Sequence, residues 1–217
     1  VEALRQEFSQ CLSFGLLTED MAASMEQWYP GRVTVVDRRD SYDYVYARDK
    51  LVTLSGKKLH GKRNHINKFK SLYEYEYHPF APQWARECLK LEEAWLESKT
   101  ELSDFFRECE YDAVRRSIED FGALECRGGI LTVKGKVIAF SIGEMLTEDT
   151  ALIHMEKANP AYQGAYAMIN QQFCQHEFAQ ATYIDREEDM GLEGLRKAKL
   201  SYAPDHLVAV KSVIIGS

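Results

Sequence analysis

Four short segments carry side chains of the kinds that hold anions or move protons. The first is Arg196 and Lys199, which a helix over Gly191–Tyr202 would set three residues apart on one face. Like charges at that spacing repel, so a bound phosphate or carboxylate would relieve them. The plainer reading pairs Glu193 with Arg196 or Lys197 on an exposed charged helix. The second segment runs from Lys50 to Tyr73. It contains no Asp or Glu, while Lys50, Lys57, Lys58, Lys62, Arg63, Lys68 and Lys70 are all basic. The chain as a whole has a net charge of −7, which does not attract nucleic acid. The patch therefore reads as a local contact with the phosphates of an RNA 3′ end, a nucleotide or an anionic lipid headgroup, with a solvated helix face as the alternative. The third is His154-Met-Glu156-Lys157 at the end of a predicted strand, where α/β proteins place chemistry. Glu156 or His154 there could act as a general base towards an amine or hydroxyl; the alternative is a surface ion pair of Glu156 with Lys157. The fourth is the junction Asn159–Ala167, with Gln163 and Gly164 at the mouth of a predicted helix.

Other chemistries are disfavoured. Cys11, Cys88, Cys109, Cys126 and Cys174 are odd in number and share no close spacing, which fits reduced thiols better than a disulfide framework or a zinc clip. The histidines lack metal-ligand spacing, so no metal site is expected, and there is no nucleophile motif, Walker loop or EF-hand.

These segments need elements to hold them. Residues 2–10 read as the end of a helix and Cys11–Leu17 as a short strand. Thr18 can cap a helix from Glu19 to Trp28 that Pro30-Gly31 stops, and Arg32–Val36 is a β-branched strand. Tyr42–Tyr46 reads as a linker. Leu59, Ile66, Phe69 and Tyr73 predict a helix over 57–73 with a basic face; Trp84, Cys88, Leu91 and Trp95 predict a second, and Tyr111, Val114, Ile118 and Phe121 a third. Gly129–Val133 and Val137–Ile142 flank Lys134-Gly135 as a hairpin. A strand over Ala151–Met155, a helix carrying Ala165 to Phe173, a strand over Ala181–Ile184, the helix Gly191–Tyr202 and a strand over Leu207–Ile215 follow. No apolar run approaches the roughly 18 residues that cross a bilayer, and Glu2, Arg5 and Glu7 interrupt any signal peptide, so a cytoplasmic location is expected.

The segment Gly194-Leu-Arg-Lys-Ala-Lys-Leu-Ser-Tyr-Ala-Pro204 is similar to the Gly-Leu-Arg-x-Phe-Lys-x-Lys-Phe-x-Pro stretch of the phosphatidylglycerol lysyltransferase C-terminal domain. The run from Asp37 to Ile214 resembles the bacterial family grouped with it. Asp40-Ser-Tyr-Asp-Tyr-Val-Tyr46, Gly56-Lys-Lys-Leu-His-Gly-Lys-Arg-Asn-His65 and His154-Met-Glu-Lys-Ala-Asn-Pro160 carry the rest of the resemblance. The resemblance implies an α/β, GNAT-like (acyl-CoA N-acyltransferase-type) fold, a mixed twisted sheet with flanking helices, in tandem with a truncated first unit. Residues 1–36 would be the remnant of that N-terminal unit and 37–217 the C-terminal GNAT-like domain.

It also implies an acyl or aminoacyl transferase of the FemX-like kind, which takes aminoacyl-tRNA and no CoA. In acetyl-CoA-dependent GNAT enzymes the strand–helix junction carries Gln/Arg-x-x-Gly-x-Gly/Ala, whose backbone N–H groups hold pyrophosphate. Here Gln163 is in place, but Tyr166 and Met168 stand where the small residues belong. Lys199 followed by Tyr202 fits the family's helix lysine, with Ala198 and Ser201 departing from the pattern. Glu156, Arg196 and Lys199 are the candidate catalytic residues. Lys57, Lys62, Arg63, Asn64, His65 and Gln163 are the candidates for binding the donor. No cofactor is expected. The expected partners are the 3′ end of an aminoacyl-tRNA or another phosphate-bearing donor, and an anionic lipid headgroup. Two other functions fit the same residues: an acetyl-CoA-dependent N-acetyltransferase, and a non-catalytic anion- or nucleic-acid-binding protein.

Overall fold

The computed structural model describes residues 12–99 and 103–216; the predicted helix over 2–10 and Cys11 lie outside them. The chain divides into two compact units. The smaller holds residues up to 45 with 187–200 and 204 onwards, and the larger holds 46–186 with 201–203. The sequence divides the chain at residue 36 instead.

In the smaller unit β1 (Leu12–Thr18) leads into α1 (Glu19–Trp28). Thr18 caps this helix by accepting a hydrogen bond from the Met21 amide at 3.4 Å, as the Ser/Thr capping rule predicts. β2 (Val33–Asp37) follows. The last predicted strand is broken in two, β9 (His206–Val208) and β10 (Val210–Ile215). β10 runs antiparallel between β1 and β2, so these two strands are joined into one sheet through a strand distant in sequence. Ala22 and Met25 of α1 cover Val213 and Ile215. β9 pairs instead with the first half of β3 (Asp43–Ala47). β3 is the segment the sequence reads as a linker. Tyr44, Val45 and Tyr46 are all buried, so it is a strand covered on both faces. Two buried hydroxyls disguise it. α7 (Glu193–Leu200) completes this unit.

The larger unit contains α2 (Arg48–Thr53), α3 (His60–Leu72), β4 (Tyr75–Pro79), α4 (Ala85–Glu97), α5 (Asp104–Glu119), β5 (Arg127–Val133), β6 (Lys136–Met145), β7 (Thr150–Ala158), α6 (Ala165–His176) and β8 (Tyr183–Asp185). Its strands lie in the order β4-β5-β6-β7-β8-β3. β4 to β7 are antiparallel and β7 and β8 are parallel, so the sheet is mixed. The β5–β6 turn has Lys134 at φ 51° and Gly135 at φ 73°. That pair of left-handed residues is the turn whose twist matches two antiparallel strands.

Helices cover both faces of this sheet. Cys88, Leu91, Val114 and Ile118 of α4 and α5 pack on Ile130, Phe140 and Ile142. The opposite face is set by Gly129, where a Cβ would come within 2.8 Å of Phe173 on α6 and 2.3 Å of the Tyr77 hydroxyl. No helix among the described residues is long and apolar enough to cross a membrane. No group of three or more His, Cys, Asp or Glu among them is placed to hold a metal ion.

Candidate active site

β7 and β8 pair over only three residues, Thr150 with Tyr183, Ala151 with Ile184 and Leu152 with Asp185. β7 then runs on to Ala158, while the chain leaves β8 after Asp185. Parallel strands that part leave a place for polar side chains and ligands at the sheet's interior. Glu156 and Arg186 fill it. Arg186 Nη2 donates to Glu156 Oε1 at 2.9 Å, and Asn170 Nδ2 of α6 donates to Oε2 at 2.8 Å. The two charged side chains are 11% and 13% exposed, so this is a desolvated pair. Burial works against the Arg186 charge; the Glu156 carboxylate, with Tyr46 and Tyr202 beside it, holds the guanidinium above its ordinary range. Its carbon lies 4.8 Å from the Tyr202 ring centre and 5.7 Å from that of Tyr46. The Oδ1 atom of Asn170 is buried and accepts no hydrogen bond from the described residues.

Lys62 joins the same group from α3. It precedes the buried Ile66 and Phe69 by four and seven residues, which puts it on the inner face of the helix. Its Nζ lies 3.9 Å from the centre of the Tyr202 ring. Burial, reinforced by Arg186 and opposed by Glu156, lowers its pKa to about 8.

Of the residues the sequence singles out, Glu156 and Lys62 meet here. The others take different places. Arg63 donates to the carbonyls of Leu54 and Gly56, closing the turn after α2. Asn64 lies 3.2 Å from the His60 ring nitrogen on the exposed side of α3, and Lys57, His65 and Gln163 are exposed. The anticipated surface pair of Glu156 with Lys157 does not form. Neighbours on a strand point to opposite faces, and Lys157 turns to Glu92 at 3.3 Å and to Glu110, with its Nζ 3.6 Å from the centre of the Trp95 ring.

Arg196 and Lys199 belong to the smaller unit. Arg196 donates to both oxygens of Asp189, each at 2.8 Å, and to Asp40 at 2.7 Å. Its charge is thus met by carboxylates, neither of them the Glu193 that sequence spacing offers. Lys199 is the buried position of α7; its Nζ donates to the Glu187 carbonyl at 3.0 Å. Sequence reasoning missed Arg186, Asn170 and Asp189. The Asp185-Arg186 end of a strand was a visible signal for the first. Asn170 sits on an otherwise apolar helix face and Asp189 in an irregular loop, so neither showed a pattern.

The start of α6 is tightly packed. Gly164 has φ 89°, and a Cβ there would stand 2.5 Å from the His65 carbonyl and 3.1 Å from the Phe69 Cβ. α3 therefore lies directly against the helix N-terminus. Met168 is fully buried, and Tyr166 accepts a hydrogen bond from Trp95 Nε1 at 2.7 Å.

The mixed sheet with helices on both faces is a GNAT-like α/β fold. The family model for the C-terminal region of phosphatidylglycerol lysyltransferase matches residues 1–210, and the chain belongs to that family. A Bacteroides thetaiotaomicron protein of unknown function superposes with a TM-score of 0.90 at 39% identity, over 99% of this chain and 72% of that one. The structure of L-PGS from Bacillus licheniformis superposes with a TM-score of 0.68 at 17% identity, over 99% of this chain and 70% of that one. In sequence, an uncharacterised protein of Mycoplasmoides gallisepticum is 26% identical over 204 residues, 88% of this chain. The chain spans 62% of that relative's length.

Proposed function

We propose that the larger unit transfers an aminoacyl group from aminoacyl-tRNA to an amine or hydroxyl acceptor, with an anionic lipid headgroup as the acceptor class to test first. The observation that carries this reading is the Glu156–Arg186–Asn170 group where β7 and β8 part. Attack on an ester carbonyl develops negative charge on its oxygen, and preorganised donors in a dry site are the strongest means of stabilising it. A guanidinium offers five N–H donors in a fixed plane; Glu156 holds that plane still. Asn170 Oδ1, buried and accepting no hydrogen bond from the described residues, suits the α-ammonium of an aminoacyl group, which a plain acyl group lacks. Membership in the lysyltransferase family favours the same donor and acceptor. On this reading Glu156 orients Arg186, and the exposed Lys57, Asn64, His65 and Gln163 meet the RNA end. Arg196 and Lys199 serve the smaller unit's own packing.

Radiolabelled lysyl-tRNA and vesicles of phosphatidylglycerol test it. The expected result is label in the lipid that depends on the protein. Hydrolysis without transfer to any amine or hydroxyl acceptor, or no loss of label from the RNA, would overturn the reading. A second expectation concerns the donor. Acetyl-CoA should show no binding heat tighter than about 1 mM, because α3 occupies the helix N-terminus a pyrophosphate would need. Micromolar binding would make acetyl-CoA the donor.

A further inference from the structure

We propose that Lys62 is the proton acceptor of the transfer step, taking the proton from the attacking amine or hydroxyl and returning it to the leaving oxygen of the donor. This deepens the transfer reading and rests on it. The sequence makes Lys62 one of several phosphate contacts in a basic helix. The structure separates it from them, because Lys57, Lys58, His65, Lys68 and Lys70 are exposed while Lys62 turns inward with Ile66 and Phe69.

What surrounds its Nζ determines what it can do. On its own helix it sits in the first turn, where no acidic residue stands and the positive end of the helix disfavours an ammonium. From the segment after α7 comes the Tyr202 ring, 3.9 Å away; from the end of β8 comes the Arg186 guanidinium, and from β7 the Glu156 carboxylate. Glu156 would favour the charged form, but its two oxygens already accept from Arg186 and Asn170. An amine beside a fixed cation, half withdrawn from water, keeps a neutral fraction. With a pKa of about 8, roughly one Lys62 in ten is uncharged at pH 7, against about one in a few thousand for an ordinary lysine. A base is most effective when its pKa lies near the working pH.

The acceptor's nitrogen or oxygen attacks the ester carbonyl carbon, and neutral Lys62 takes the proton from that atom as the new bond forms. Arg186 bears the oxyanion. The carbonyl re-forms, the bond to the ribose oxygen breaks, and the Lys62 ammonium protonates that oxygen. No oxidant, metal or further reactant is needed.

Lys62→Arg and Lys62→Met, assayed in the full chain with lysyl-tRNA and phosphatidylglycerol vesicles, test the assignment. Wild-type kcat should rise with pH through an apparent pKa of about 8. Both variants should lose about 10²-fold or more in kcat together with that pH dependence, while tRNA binding by Lys62→Arg stays within about threefold. A phosphate contact behaves differently, because arginine keeps the charge. Lys62→Arg with near wild-type kcat and an unaltered pH profile overturns the proposal. An NMR titration of the lysine amines is the second measurement, independent of activity; the resonance missing from Lys62→Arg should titrate near 8. A midpoint near the ordinary lysine value also overturns it. Absence of transfer by the wild type removes the transfer reading itself, whatever the titration shows.

Discussion

Arg186→Met should slow transfer by about 10²–10³-fold, the loss seen when one oxyanion donor is removed from a dry site. The fall should lie in kcat, because the oxyanion exists only in the transition state, and an interaction made only there leaves ground-state binding unchanged. Arg186 is also structural. Removing a buried cation leaves Glu156 without its counter-ion, which costs about 3–5 kcal/mol and risks unfolding the larger unit. Two companions separate the effects. Arg186→Lys keeps the charge but not the planar fork, so it should fold and still lose most of the rate. Glu156→Gln keeps an acceptor for Arg186 but leaves that buried cation without its counter-ion, so it should be destabilised in its turn and lose less of the rate. Initial rates read beside thermal unfolding decide the matter. A folded Arg186→Lys with wild-type kcat would show that Arg186 merely supports the sheet.

The elements holding this site were legible to different degrees. α3 and α6 announced themselves through apolar spacing, and the β5–β6 hairpin through Lys134-Gly135, because local rules decide them. β3 was hidden because tyrosines at 42, 44 and 46 look polar along the chain, whereas Tyr44 and Tyr46 are buried between covering layers. The parting of β7 and β8 depends on where a parallel partner ends, which neither strand's own residues record. Lys62 was half legible. Its spacing from Ile66 and Phe69 shows that one cation of the basic run lies on the apolar stripe, but not that Arg186 and Tyr202 wait there. In the sequence Arg196 and Lys199 are cations three residues apart on one helix face. The carboxylates that hold Arg196, Asp40 and Asp189, come from distant parts of the sequence, so charge counting within one helix misjudged it.

Asp189 carries the largest stability effect expected of a single side chain in the smaller unit. It is fully buried and gathers donors from three segments. Arg196 binds both oxygens, the Gly191 amide donates to Oδ1 at 2.9 Å, and the Tyr44 hydroxyl and Arg39 donate to Oδ2 at 2.5 and 3.3 Å. Asp189→Ala would leave the proton of the buried Tyr44 hydroxyl without its acceptor, although the oxygen still accepts from Arg39, and would remove the anchor of the turn at Met190-Gly191, where both residues have positive φ. A loss of about 3 kcal/mol is expected from such a change, read as roughly 10²-fold less hydrogen-exchange protection along α7. Arg196 first, then the other donors, hold the Asp189 pKa well below the usual carboxylate range against the opposing effect of burial. A carboxylate depressed by folding stabilises wherever it is ionised in both states. Its contribution is complete above the ordinary value near 4 and is lost as pH falls through the depressed folded value. The stability difference between wild type and Asp189→Asn should therefore be constant from neutral pH down to about 4 and shrink below it. A difference that grows on acidification, or α7 amides equally protected in both proteins, would show that Asp189 does not anchor this unit.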